Sequence, residues 1–177
     1  MRYKKLIEID IDLLTQCLIR TKDNKIVKTE VKEINTQHYN FKDWEFNWIE
    51  ESKKRNKILG LFAENDKRLQ GIVEYYENRE RQLLEVILIE IAPFNNRHNP
   101  KNFLKSKEYL GVGGHLFAEI ARISFEKGYD GYVSFLAKTN LIEHYKKTLG
   151  AKQLSYIEMY IDDEAAMKLV KKYYGKN

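Results

Sequence analysis

The stretch Glu108-Tyr-Leu-Gly-Val-Gly-Gly114 places three glycines directly before a helical pattern. Glycine adopts positive φ and lets a ligand approach the backbone, because it has no Cβ. The free amides of a first helical turn point at such a ligand, and the helix dipole favours an anion. The stretch therefore predicts a loop that binds phosphate. The competing interpretation is a glycine-rich turn needed only for close packing.

Three apolar runs precede this loop, and short polar turns separate them. The runs cover residues 58–63, 69–76 and 82–92, and the last one ends at Pro93. Short polar connections between apolar runs are typical of antiparallel strands. Proline marks the end of ladder pairing, because it has no N–H to donate. The sequence before the loop therefore predicts an antiparallel meander.

The residues after the loop predict a helix and then a strand. Apolar residues recur at the helical spacing i, i+3, i+4, and Gly128 supplies a C-cap; the apolar positions are Leu116, Phe117, Ile120, Ala121 and Phe125. Residues 131–137 form the strand. A strand, a helix and a strand in sequence imply a right-handed crossover, with the new strand parallel to the long one.

The last quarter of the chain continues in the same way. A helix at residues 140–149 ends at Gly150, and residues 152–161 predict the last strand. Asp162 or Asp163 caps a final helix, whose inward-facing residues are Ala166, Leu169, Val170 and Tyr173. The whole pattern predicts an α+β fold, with a mixed, mainly antiparallel sheet, a βαβ crossover and flanking helices.

The first third of the chain is less regular. Alternating apolar residues predict a strand at residues 6–11 that passes into a short helix at residues 13–19, and residues 25–34 predict an exposed strand. Four apolar residues repeat at helical spacing with Asn40 or Asp43 as a cap; they are Phe41, Trp44, Trp48 and Ile49. The two tryptophans indicate core anchors, because of the area such side chains bury.

Composition indicates one globular domain over residues 1–177, with 43% apolar and 32% charged residues. We expect no membrane span and no signal peptide, because no apolar run is long enough. Cys17 is the only cysteine, which suits a buried structural role in a reducing cytoplasm. The net charge is +5, and residues 94–107 contain four Lys or Arg and no acidic residue. This cationic segment suits either a solvated loop or the neighbourhood of a phosphate site.

Two other kinds of nucleotide site fit the glycine loop poorly. A Walker loop needs Gly-Lys-Ser/Thr, but His115 and Leu116 follow the glycines here. The dinucleotide fingerprint follows the first strand of a parallel sheet, whereas this loop follows an antiparallel meander. The four histidines lack ligand spacing, so we expect no metal site and an exposed His115.

Residues 58–161 resemble the GNAT superfamily of N-acetyltransferases, and look like an uncharacterised subgroup of it. Glu108-Tyr-Leu-Gly111-Val-Gly113 is similar to the Arg/Gln-x-x-Gly-x-Gly/Ala loop of that family, with Glu in place of Arg or Gln. Ile91-Ala-Pro93 matches the Val-x-Pro strand end, followed by a longer spacer than usual. Tyr145 and Gly150 match a Tyr-x-x-x-Gly pattern with one extra residue between them.

The resemblance implies acetyl-CoA as co-substrate, with the pyrophosphate on the glycine loop and the pantetheine arm beside the long strand. The residues it assigns to this cofactor are Ile89, Ile91, Ala92, Tyr109, Gly111, Val112, Gly113, Gly114 and Lys138. It also implies Tyr145 as the general acid for the CoA thiolate. No metal is implied.

Acetyl transfer to an amine needs a base, and the long strand carries two carboxylates. Glu85 matches a position used as base in some members, counting back from Pro93. Glu90 lies inside an apolar run, where burying a carboxylate is costly without a purpose or partner. We favour Glu90. An unbroken strand would point the two to opposite faces, since their separation is odd.

The sequence thus predicts a cytoplasmic acetyl-CoA-dependent N-acetyltransferase that acts on a primary amine of a small molecule, peptide or protein, as a monomer or homodimer. One alternative is a non-catalytic acyl-CoA-binding or regulatory module, given Glu108 in the loop. Another is a GNAT toxin that acts on aminoacyl-tRNA, given the basic segment. Nucleic acid is not the expected partner, because no motif interleaves aromatic and basic residues.

Overall fold

The computed structural model describes residues 5–175, which form ten strands and four α-helices. The first group is β1 Leu18–Arg20, β2 Lys25–Val27, β3 Thr29–Glu33, α1 Trp48–Ser52, β4 Lys57–Ala63, β5 Gly71–Asn78 and β6 Leu83–Ile91. The second group is β7 Tyr109–Leu110, α2 Val112–Glu126, β8 Val133–Leu136, α3 Ile142–Leu149, β9 Lys152–Gln153, β10 Glu158–Ile161 and α4 Asp163–Tyr174.

Seven strands form one sheet in the order β3-β4-β5-β6-β8-β10-β9. Every neighbouring pair is antiparallel except β6 and β8, which are parallel and connected through α2. The predicted meander and crossover are therefore confirmed, as is the α+β fold. Helix α2 packs on one face of the sheet, and α4 packs against α2.

A bulge in β6 decides which way its carboxylates point. The register of β6 against β5 shifts between Glu74 and Tyr75, so one residue of β6 is extra. Leu84 and Val86 before the bulge pack in the same core as Ile89 after it. Even-numbered residues of β6 face the larger core before the bulge, and odd-numbered residues face it after the bulge. Glu85 and Glu90 therefore lie on the same, opposite face of the sheet. The expectation that these two carboxylates point to opposite faces assumed an unbroken strand, and the bulge removes that assumption.

Two apolar cores lie on the two faces of the large sheet. The larger core joins α2, α3 and α4 to the sheet and includes the fully buried Phe117 and Leu116. The smaller core is centred on Trp48, with Phe62, Leu69 and Leu88 around it. The prediction that Trp48 anchors a core is confirmed, whereas Trp44 is only partly buried.

Several local predictions in the first third are wrong. The strand predicted at residues 6–11 does not form, and only Ile7 makes an isolated bridge, with Ala137. Residues 13–19 form no helix, because the chain bends there and enters β1, which pairs with β2 and β7 in a small second sheet. The helix near the tryptophans starts only at Trp48, and Asn47 caps it rather than Asn40 or Asp43. The aromatic residues before it, Phe41, Trp44 and Phe46, lie in turns and pack against the smaller core. Among the described residues, no helix has the length and apolar character to cross a membrane.

The two glycines near the end of α2 offer a matched test of packing. Gly128 and Gly131 both have φ of +81°. A Cβ at Gly128 would meet nothing within 4 Å, whereas one at Gly131 would lie 2.6 Å from Ala166 Cβ and Phe125 Cε2. We expect Gly128→Ala to cost about 1–2 kcal/mol, from the backbone alone. Gly131→Ala should cost about 1–3 kcal/mol more, through overpacking.

Denaturant unfolding of both variants measures this difference directly. Equal losses in the two variants would contradict the packing of Gly131 against α4.

Candidate functional site

The candidate site lies where the two parallel strands separate. β6 and β8 pair only at Leu84 with Val133 and at Glu85 with Ser134. Beyond this point the two strands diverge and leave an opening. Residues 5–15, which we call the strap, run through it. The Ile7 N–H donates to the Leu136 carbonyl at 2.6 Å, and the Lys138 N–H donates to the Ile7 carbonyl at 3.1 Å.

The glycine loop lies at the other end of the strap. Gly111 is the N-cap of α2 with φ of +93°, as a tight strand-to-helix turn requires. Its N–H donates to Asp12 Oδ1 at 3.1 Å, and Lys107 Nζ lies 3.1 Å from Asp12 Oδ2. An anion therefore does lie at this helix N-terminus, and it is a carboxylate of the same chain. Lys107 is buried, whereas the other three cationic residues of this segment, Arg97, Lys101 and Lys105, are exposed.

The loop glycines allow close approach of the chain itself. A Cβ at Gly111 would lie 2.2 Å from Thr15 Oγ1, and one at Gly113 would lie 3.0 Å from Ile11 Cδ1. At Gly114 it would lie 2.2 Å from the hydroxyl of Tyr173 on α4. In this arrangement the glycines serve close packing, and the space over the loop is filled by the strap.

Tyr145 of α3 contacts the middle of the strap and is fully buried. Its hydroxyl accepts from the Ile9 N–H at 3.0 Å and lies 3.0 Å from the Ile9 carbonyl, to which it donates. Burial raises the pKa of Tyr145 far above its ordinary value, so the phenol holds its proton. The next residue towards the N-terminus, His144, accepts from the Ile11 N–H at 2.9 Å.

The other residues assigned to the cofactor surround the same opening or its edge. Ile89, Ile91, Ala92 and Val112 are buried in the sheet and in α2. Lys138 pairs with Glu8 of the strap at 2.5 Å. Tyr109 points elsewhere, because its hydroxyl donates to Asp66 at 3.2 Å. Lys138 and the loop glycines thus contact the strap, and the Tyr109 side chain does not line the opening.

Glu90 is buried and accepts three hydrogen bonds from one segment. Its donors are the Glu45 N–H at 2.6 Å, the Phe46 N–H at 3.4 Å and Trp48 Nε1 at 2.7 Å. Burial raises the pKa of Glu90, against the effect of these donors. The carboxylate therefore fixes the turn before α1 onto β6, and its assignment as a base stays a prediction.

Glu85 lies nearer to the point where the strands separate. It forms a salt bridge with Arg81 at 3.2 Å and accepts from Asn78 at 2.8 Å. It also lines a small crevice of about 20 Å³ together with Lys5, the bulge residue Ile87 and Glu158. Of the two candidate bases, Glu85 is the one at the opening.

A cluster of ionisable groups that sequence analysis missed lies on the same face. Glu51 of α1 binds Lys5 and Lys54, each at 2.6 Å, and Lys5 Nζ lies 5.0 Å from the Phe46 ring centroid. Glu74 of β5 is fully buried and accepts from the Asn56 amide at 2.7 Å, whereas its other carboxyl oxygen has no hydrogen-bond partner among the described residues. A carboxylate within an apolar strand was the available signal for Glu74, as it was for Glu90.

The acidic first position of the loop has a nearby cation. Glu108 pairs with the two terminal guanidinium nitrogens of Arg68, at 3.2 and 2.5 Å, and the Arg68 guanidinium carbon lies 4.3 Å from the Phe94 ring centroid. The departure from the family pattern thus comes with an arginine from another part of the chain. His115, which we expected to be exposed, is buried, and burial lowers its pKa to about 4.

Comparison with solved structures identifies the fold. A bacterial toxin matches with a TM-score of 0.54 at 12% identity, over 86% of this chain and 100% of that one. A mutant form of the spermidine/spermine N-acetyltransferase of Vibrio cholerae gives 0.50 at 14%, over 79% and 96%. A Bacillus subtilis acetyltransferase in complex with CoA gives 0.47 at 15%, over 77% and 98%.

No protein-family model matches the sequence, and no curated protein does. At these identities the solved structures establish the fold alone. Together with the strand order around the β6–β8 opening, they confirm that the chain has the GNAT fold that its sequence predicts.

The contacts of Glu90 predict that its removal destabilises the protein. Glu90→Gln places an NH₂ group against N–H donors, and we expect a loss of about 1–3 kcal/mol in the free energy of unfolding. Glu80→Gln is the control, because it makes the same charge change at an exposed side chain in the turn between β5 and β6. Denaturant midpoints that are equal for the two variants would exclude an anchoring role for Glu90.

Glu74 predicts a dependence of stability on pH. Burial, and then Glu51 beside it, raise the pKa of Glu74 in the folded state. The folded protein therefore holds a proton that the unfolded chain releases, and Glu74 lowers stability as pH rises through its folded pKa. Glu74→Gln replaces the protonated carboxyl group by a neutral amide of similar shape that does not titrate. We expect it to match the parent at about pH 4, below the ordinary pKa of a glutamate, and to be more stable than the parent at about pH 8.

Unfolding curves at both pH values measure this, with Glu50→Gln on the exposed side of α1 as control. A stability difference that does not change with pH would contradict a protonated Glu74.

Proposed function

We propose that this GNAT-fold chain is an acetyl-CoA-dependent N-acetyltransferase that acts on a primary amine. The observation that carries the proposal is the opening between β6 and β8, which leads directly to a glycine-capped helix N-terminus that holds an anion. The strand order, the position of this opening and the sequence of the loop agree with each other. The fold alone would not support an activity, because folds host many functions.

The residues at the glycine loop suit a pyrophosphate. The Asp12 carboxylate stands in for a phosphate oxygen, since it accepts from the Gly111 N–H and pairs with the buried Lys107. Gly111, Gly113 and Gly114 would bring first-turn amides to the same place, where the helix dipole favours negative charge. This fit requires the strap to leave, because the strap now fills that space.

The residues along the opening would position the rest of the cofactor. Acetyl-CoA supplies the acyl group as a thioester. The buried Tyr145 keeps its proton and would donate a hydrogen bond from its phenol to the sulfur end of the ligand. Ile89, Ile91 and Ala92 of β6 and Lys138 after β8 would line the pantetheine arm on its two sides.

The proton of the acceptor amine needs a carboxylate at the opening. Glu90 is the base that the sequence favours, but both of its oxygens are engaged by three N–H donors. Glu85 is also engaged, by Arg81 and Asn78, but it lines the crevice where the strands separate, and this position favours Glu85 for the role. The crevice also contains Glu158, which shares Arg81 with Glu85.

A non-catalytic acyl-CoA-binding module is the second candidate. The filled groove and the engaged Glu90 favour it. The two candidates bind the same ligand and differ only in whether the acyl group is transferred.

Calorimetric titration with acetyl-CoA tests both candidates, and thiol release with a panel of primary amines separates them. We expect binding to the parent protein, and amine-dependent thiol release that Glu85→Gln lowers by about 10²-fold or more with little change in acetyl-CoA affinity. Binding of acetyl-CoA without thiol release would exclude the enzyme and support the non-catalytic binding module. An absence of binding would rule out both.

A further inference from the structure

We propose that the strap, residues 5–15, is an intramolecular inhibitor that competes with acetyl-CoA for its groove. This inference rests on the proposed function. The strap follows the whole path that a CoA ligand would take in the groove, from the crevice beside the β6 bulge to the N-terminus of α2. No residue of the strap was assigned a role from the sequence.

The strap makes a ligand-like contact in each part of the groove. At one end the ammonium group of Lys5 forms a salt bridge with Glu51 and lies over the Phe46 ring. Both contacts are on the side of the sheet that carries Glu85. In the middle, backbone groups of Ile7 and Ile9 bind β8 and the Tyr145 hydroxyl. These contacts match an amine and an extended arm.

At the other end the strap presents negative charge. The Asp12 carboxylate takes the Gly111 N–H and Lys107, which are the donors proposed for the pyrophosphate. Asp10 lies 3.5 Å from the same Lys107. An ammonium, an extended backbone and a carboxylate thus follow one another in the order amine, pantetheine, phosphate. One groove cannot hold both this segment and the cofactor.

The attachment of the strap allows it to leave while the rest stays folded. The chain after it is held by β1, which pairs with β2 and β7. Between strap and strand, Cys17 has φ of +53°, where the chain turns sharply. The strap itself adds no strand to the large sheet beyond the single Ile7–Ala137 bridge. Its isoleucines are buried, so release exposes apolar surface and lowers the apparent affinity of any competitor.

Asp12→Asn in the full chain tests the competition. The amide cannot pair with Lys107 as a carboxylate does, so the strap is held less tightly and the ligand binds more easily. We expect calorimetric titration to show CoA binding about tenfold tighter than in the parent protein. Asp23→Asn is the matched control, because it makes the same charge change at the β1–β2 turn, where Asp23 pairs with Arg20. The control should bind CoA as the parent does.

Hydrogen exchange detects the strap directly. In the parent protein the Ile9 and Ile11 amides are hydrogen-bonded to Tyr145 and His144. Saturating CoA should speed exchange in a peptide that covers residues 5–15 and leave β5 unchanged.

The outcomes separate the two proposals. CoA binding with the strap still protected, and equal affinity for Asp12→Asn and Asp23→Asn, would overturn the inhibitor and leave the proposed function standing. If CoA binds none of the three proteins, the proposed function fails and the inhibitor fails with it.

Discussion

The separation of two parallel strands is the constraint on which the rest of this structure depends. β6 and β8 pair at two residues and then diverge, which leaves backbone groups of both strands without a neighbouring strand. Buried backbone N–H and C=O groups need partners. Part of this need is met by the chain itself, since Ile7 bonds to Leu136 and Lys138 on the β8 side. A ligand that binds in this opening has to compete with the strap for these backbone groups.

The occupant of the opening also explains the chemistry of its walls. Tyr145 is fully buried, yet its hydroxyl is satisfied because it bonds backbone groups of the strap. Lys107 is buried, yet it is paired because Asp12 and Asp10 come to it from the strap. Buried polar groups of this kind are costly unless they are matched. A ligand that displaced the strap would have to replace these partners, and a nucleotide with an extended amide-containing arm carries suitable groups.

The sequence predicts the large sheet and its crossover well, because period and turn residues there agree with the final fold. Residues 58–92 alternate between apolar runs and polar turns, and the helix after Gly111 has a regular apolar face. The prediction fails for residues 13–19, where tertiary contacts with α4 and the glycine loop override a short local pattern. The bulge in β6 has no local signal, so the shared face of Glu85 and Glu90 could not be read from their spacing.

The candidate site is less predictable than the fold, because it depends on contacts between distant parts of the chain. The glycines are identified from the sequence, but the carboxylate that accepts from the Gly111 N–H lies about a hundred residues earlier, at Asp12. The partner of Glu108 is Arg68, and that of Glu90 is the turn before Trp48. In each pair, one residue can be identified from a sequence pattern, whereas its partner is identified only from the structure.

A crystal structure of the full chain with CoA is the most direct test of the claim that this groove takes the cofactor. We expect a pyrophosphate on the amides of Gly111, Gly113 and Gly114, with Asp12 displaced and the pantetheine arm beside Tyr145. A structure with CoA bound elsewhere and Asp12 still on Gly111 would contradict it.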